Sequence, residues 1–206
     1  MCGSMSFMKT KYILVFFLLL MAGLILFAVF FRAEFIALLN QPAMYSHVRF
    51  IHIIAVTLFF ANAVIGIIWE SRALASHRKE IILHTYGTVS WLDARLSSPL
   101  IIVSVISGIM LSIIKGDMMK TGWLSWGFML FLLSGLLWVI TDIPTQRKIN
   151  MLMEKLDPSE ESLTPELYRL LRIRLWVSLG DILPLVIVFI LMVYKPDIPV
   201  LGALFK

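Results

Sequence analysis

The sequence predicts an all-α polytopic membrane protein: a transmembrane helical bundle of five spans, with a four-helix antiparallel bundle preceded by an extra N-terminal span. Three observations carry this expectation. Five separate runs are long and apolar enough to cross a bilayer. Of the 206 residues, 60% are hydrophobic and 15% charged, whereas a soluble domain is roughly a quarter charged. The mean hydropathy is +0.91. In hydrocarbon every backbone N–H and C=O must be satisfied internally, so apolar crossings become helices. Each takes ~20 residues to traverse ~30 Å, leaving loops and helix extensions but no room for a soluble domain.

The spans follow in order. Tyr12 to Phe31 begins after Lys9 and Lys11 and ends at Arg32. It exceeds the ~7–15-residue apolar core of a signal peptide and is expected to stay as an uncleaved anchor. Span two is about Val48 to Trp69, span three Leu96 to Ile114, span four Trp123 to Ile140 and span five Leu175 to Tyr194. The organisation expected is a transmembrane anchor and outer segment over 1–40, a four-span bundle with cytoplasmic helix extensions over 41–196, and a tail over 197–206. The only cysteine, Cys2, excludes a disulfide framework and a thiolate metal site.

Threading the chain alternately places twelve Lys and Arg on the amino-terminal side and six on the other. That bias puts the amino terminus inside and the carboxyl terminus outside the cell inner membrane. It also accounts for the net charge of +5 without nucleic acid as a partner. Trp123, Trp126 and Tyr194 are then expected at the outer boundary, with Trp69 and Trp176 at the inner one.

The inner segments carry helical periodicity of their own. Ile81, Ile82, Thr85, Val89 and Leu92 recur as on a helix leading into span three. Residues 145–156 read as an extension of span four. A turn over Asp157 to Ser162 precedes Thr164-Pro165-Glu166, a helix start with Thr as cap and Pro in the first turn. Pro99 and Pro184 are expected to kink spans three and five. Ser107-Gly108 and Ser134-Gly135 mark places where backbones can approach closely.

Ionisable groups at membrane depth are functional candidates. His52 lies one turn inside the outer boundary, and its neutral imidazole can ligate haem iron or a soft metal, or pass a proton. Met110, Met129 and Met192 fall at the same depth, and imidazole with thioether suits Cu(I) or a His/Met haem. A histidine simply hydrogen-bonded near the interface is the other reading. Asp181 is the second candidate, with Arg95 as its expected counter-ion or Asn62 or Ser98 as hydrogen-bond partners. The two readings there are a buried tether between helices and a proton-accepting site. Glu70, Asp93 and Asp142 share a level with Arg95, Arg172 and Arg174 and are expected to form a hydrated rim. The Arg169-x-x-Arg172-x-Arg174 run either binds anionic headgroups or only fixes topology. No Walker-type loop, His-Glu-x-x-His or Gly-x-Ser-x-Gly is present.

Three stretches carry a family resemblance over about Val48 to Pro196: Arg49-Phe50-Ile51-His52; Leu92-Asp93-Ala94-Arg95-Leu96-Ser97-Ser98-Pro99 leading to Ser107-Gly108; and Met192-Val193-Tyr194-Lys195-Pro196. In these the chain resembles a bacterial family of predicted integral membrane proteins of unknown function. The four-span plan with an early histidine also looks like the copper-resistance D and J-type protoporphyrinogen oxidase proteins. The latter resemblance implies a b-type haem or porphyrin in the bundle. A Trp-x-Gly frequent after that histidine is replaced here by Phe59, Phe60 and Ala61. Three functions follow as expectations: a haem- or porphyrin-binding protein of membrane redox chemistry, a non-catalytic accessory or assembly subunit, and a small metal-handling or transport protein. The partners expected are the lipid bilayer and either another membrane protein or a second copy of the chain.

Overall fold

The computed structural model describes Leu19, Gly23, Leu26 and residues 30–39, 42–115, 120–156 and 163–205. These are mostly helical, and no strand occurs among them. The first expected span, apart from Leu19, Gly23, Leu26, Phe30 and Phe31, lies outside the described residues, as do Cys2 and the expected turn at Asp157 to Ser162.

In chain order the elements are α1 (Arg32–Leu39), α2 (Pro42–Ala75) and α3 (Lys79–Leu92), then a π turn (Asp93–Ser97) leading into α4 (Ser98–Lys115). α5 (Gly122–Leu137) continues through a second π turn (Trp138–Asp142) into α6 (Ile143–Glu154). α7 (Pro165–Tyr194) and a short 3-10 turn (Leu201–Phe205) complete the described chain. Three helical stretches are long and apolar enough to cross a membrane: Ala43–Ala75, Lys79–Ile114 and Pro165–Tyr194. They contain the second, third and fifth expected spans. The fourth corresponds to α5, a shorter apolar helix whose helical path is prolonged by the π turn.

Local chemistry explains several ends. Thr164 caps α7 by accepting the Leu167 N–H at 3.4 Å, with Pro165 in the first turn. α2 ends where His77 takes a left-handed conformation (φ 53°), its ring stacked on Tyr168 at 5.9 Å. Pro99 falls in the first turn of α4, directly after the π turn. There the Ser98 N–H reaches back to the Asp93 carbonyl, and the wider turn makes room for the ring that a regular helix would exclude. α7 runs on through Pro184 as one helix.

Cα packing separates two compact units, Met1–Val56 with Leu100–Gly116, and Thr57–Pro99 with Asp117–Lys206. In the first, Val48 and Ala55 on α2 and Ser104, Val105, Ser107 and Ser112 on α4 are buried.

In the second unit the pairings run antiparallel. Asn62 meets Ser97 and Gly66 meets Val89 across α2 and α3. Gly127 meets Met192 across α5 and α7, and Lys148 meets Glu166 where α6 pairs with the start of α7. The tail folds back onto α5: the Trp126 indole donates to the Pro199 carbonyl at 3.1 Å. Gly122 lies directly under the Ile198 carbonyl, where any Cβ would collide.

Burial is unevenly distributed along this unit. The most deeply buried side chains are Tyr86, Ile82, Ile149, Leu167 and Leu171. Together with Ala73 and Leu74 they form one apolar core at the ends of α2, α3, α6 and α7. By contrast Ile187, Ile190 and Leu183 on α7 and Leu132, Leu133 and Leu136 on α5 are exposed, a surface stable only against lipid. Trp69, Trp91 and Trp176 are all exposed and lie within two residues of Glu70, Asp93 and Arg174, which meet one another. They make an aromatic belt where lipid gives way to water. From Trp176 to Tyr194 is eighteen residues, about 27 Å of helix, which matches one hydrocarbon thickness. The core beyond the belt forms a cap packed like the interior of a soluble bundle.

Leu171→Ala in the cap is expected to lower stability by about 2–5 kcal/mol, and Leu183→Ala on the lipid-facing surface by under about 0.5 kcal/mol. Thermal unfolding of the detergent-solubilised protein, followed by circular dichroism, reads both.

Candidate functional site

Two polar clusters stand out. The first is built on His52. Val48, His52 and Ala55 recur on one face of α2, and Ser104, Ser107 and Gly108 on one face of α4. His52 Nδ1 lies 3.0 Å from the Ser104 carbonyl oxygen and 3.0 Å from Ser107 Oγ. A carbonyl only accepts, so Nδ1 carries the proton. The Ser107 hydroxyl donates to the Val103 carbonyl, which turns its lone pair to the same N–H. Both partners thus assign one tautomer, with the free lone pair on Nε2. Gly108 lets the ring lie against the helix, because a Cβ there would sit 3.1 Å from His52 Cε1 and 3.6 Å from Nδ1. Nε2 stands more than 4 Å from that position.

Met110 is two residues past Gly108 and, at 100° per residue, about 110° round α4 from the face that holds the imidazole. Met129 and Met192 belong to the other unit, where the Met192 methyl packs over Gly127, 3.3 Å from the position of a Cβ. The polar groups that engage His52 are serines, which the methionine-centred expectation missed. The Ser107-Gly108 pair was legible as a close approach, but the chain alone does not say what approaches it.

The second cluster lies at the belt. Arg174 is 3% exposed. Its guanidinium reaches Glu70 at 3.4 Å and Asp93 at 3.6 Å and lies 5.2 Å from the Tyr86 ring centre. Tyr86 in turn donates its hydroxyl to the Leu171 carbonyl at 3.0 Å. Asn62 donates to Asp93 at 3.3 Å and to Ser97 at 2.8 Å. The π turn carries both Asp93 and Ser97, and its widened path turns the two toward Asn62. Glu70 and Arg174 are almost wholly buried while the Asp93 side chain is 32% exposed, so the cluster reaches solvent through Asp93.

This arrangement corrects two expectations. Glu70 and Arg174 belong to a buried ionic cluster, not to a hydrated rim, because α3 and α7 close over them with Tyr86 and Leu171. The buried cation is Arg174, not Arg95. Arg95 is exposed, its guanidinium stacked 4.9 Å over Trp91, because the π turn directs Asp93 inward and leaves Arg95 on the outer surface. Asp181 is half-buried, and its backbone carbonyl accepts from Ser134 at 3.3 Å. The signal for Arg174 was present in the sequence: Leu167, Leu171 and Arg174 recur at helical spacing, so the arginine shares the buried stripe. Among the described residues, no three His, Cys, Asp or Glu side chains converge as a metal site.

A fold of long apolar helices with buried polar clusters defines an integral membrane protein. The chain belongs to the family described as predicted integral membrane protein (DUF2269), whose model matches residues 46–196. No curated protein and no solved structure matches the chain. The matched segment contains both clusters, and the membrane setting means that the protein contacts lipid.

Removing one partner of a buried ion pair strands the other charge. Arg174→Met is therefore expected to cost about 3–5 kcal/mol, and adding Glu70→Gln to restore part of it. Unfolding midpoints of both single variants and the double variant in detergent check the coupling.

Proposed function

We propose that this protein binds a b-type haem or porphyrin in its helix bundle through His52 and serves membrane redox chemistry. In this reading it lies in the inner membrane and crosses five times, with the amino terminus inside and the carboxyl terminus outside. The observation that carries the proposal is the held imidazole. Metal-ligating histidines characteristically donate their other ring N–H to a carbonyl or similar acceptor, which fixes the tautomer and raises ligand basicity. His52 has that arrangement, with Nδ1–H on the Ser104 carbonyl and Nε2 as the donor atom. The residues present therefore fit such a group, which His52 would hold through Nε2. Ser107 and Gly108 orient the ring and admit it to the helix surface. A haem bound there supplies one-electron chemistry. The positive-inside distribution supports the orientation.

A second reading, a non-catalytic accessory or assembly subunit, is favoured by the cap, whose tightly packed apolar core extends the bundle beyond the aromatic belt.

Expression with haem supplementation and purification in mild detergent separate the two. The expected result is a Soret band in the native protein that is lost in His52→Ala and weakened in Ser107→Ala. A colourless native protein that co-purifies in a stable complex overturns the haem reading and supports the subunit reading. Reporter fusions at the two termini are expected to report opposite faces of the membrane.

A further inference from the structure

A groove of about 570 Å³ opens on the outer surface between the end of α2 and α3. It adjoins a second hollow of about 330 Å³ along α3, and the two share His84 and Thr88. Neither belongs to the clusters around His52 or Arg174. The combined hollow has two chemically distinct ends. Arg72 and His84, both exposed, lie on the cap side. Trp69 and Trp91, 46% and 53% exposed, lie at the belt. Thr85 and Thr88 line the wall between them. Gly87 leaves the second hollow open, since nothing lies within 4 Å of where its Cβ would stand.

The charge is one-sided. No carboxylate lines either hollow among the described residues. Glu70, adjacent in sequence to Trp69, is turned inward onto Arg174, and Glu80 stands outside the lining. Arg95, stacked on Trp91, adds a second cation at the belt end. On the bilayer side the α2 stripe that bears Arg72 continues upward through Trp69, Ile68 and Ile65, all of them exposed. Their spacing of three, four and seven residues puts them on one helical face. A cationic head, a tryptophan pair at the interface and an aliphatic track into hydrocarbon occur in that order along one line.

We propose that this α2–α3 groove holds an anionic phospholipid, with Arg72 and His84 on its headgroup phosphate, Trp69 and Trp91 flanking the glycerol level, and Ile65 and Ile68 under an acyl chain. Charge complementarity selects an anionic over a zwitterionic headgroup, and the apolar track selects a lipid over a free anion. The site is independent of the haem reading, which concerns the other unit. It also differs from the Arg169–Arg172–Arg174 run, of which Arg174 is buried and committed to carboxylates.

The test is native mass spectrometry of the full chain, delipidated in detergent and titrated with phosphatidylglycerol or phosphatidylcholine. Phosphatidylglycerol is expected to be retained preferentially. An interfacial cation contributes a factor of about five toward an anionic lipid, so Arg72→Ala is expected to lower that retention about fivefold. His84→Ala is expected to lower it less, and Arg72→Lys to keep it within about twofold. Lys155→Ala, an exposed cation just past α6 and outside the groove, serves as the control and is expected to leave retention unchanged. Equal retention of the two lipids by the native protein overturns the proposal. So does an Arg72→Ala variant that binds as the native protein does, or a Lys155→Ala loss as large as that of Arg72→Ala.

Discussion

A guanidinium placed where lipid gives way to water must be neutralised within the protein, because desolvation of an unpaired charge costs several kcal/mol. Arg174 meets that requirement by drawing together three helices: Glu70 from α2, Asp93 from the turn after α3, and its own α7. Tyr86 covers the guanidinium with its ring and fastens its hydroxyl to the Leu171 carbonyl one turn earlier on α7. The level at which these helices meet, and hence the register of each pair above and below it, follows from this one constraint. Asn62 and Ser97 extend the same network toward the bilayer.

Two packing regimes meet at that level. On the cap side, Ile82, Ile149, Leu167 and Leu171 are withdrawn from water almost completely, and their burial is driven as in any soluble bundle. On the bilayer side the surroundings are as apolar as the side chains, so burial brings no such gain. Helices there are held by close backbone approach and hydrogen bonds. Gly127 beneath Met192, Gly66 against Val89 and Gly108 beneath His52 supply the approach. Ser134 and Ser107 supply the bonds. Among the described residues of this mostly apolar chain, the fullest core thus lies in the cap.

Much of this was legible in the sequence. Helix class, the Thr164-Pro165 start of α7 and the helices over Lys79–Leu92 and Ile143–Glu154 follow from hydropathy, capping chemistry and periodicity, which are local properties. The buried ionic cluster was legible only in part. The stripe Leu167, Leu171, Arg174 singles out the inward arginine, yet Asp93 and Arg95 cannot be assigned faces by helical arithmetic. Both lie within the π turn itself, which resets the angle, and that turn accommodates Pro99. At His52 the imidazole was identifiable as a candidate, while its partners Ser104 and Ser107, some fifty residues away, follow from tertiary packing alone.

The two π turns have a wider consequence. Gln146 donates to Ser90 at 3.2 Å. α3 and α6 therefore run side by side, and the turns at Asp93–Ser97 and Trp138–Asp142 begin within about one helical turn of that contact. Each widened turn accommodates one additional residue in the helical path, rotating everything beyond it by roughly 100°. The halves of each rod on either side of it are thereby uncoupled in azimuth. The portion solvated by acyl chains and the portion solvated by water can each choose its own contact face, as two lengths of shaft joined through an offset coupling rather than cut from one bar.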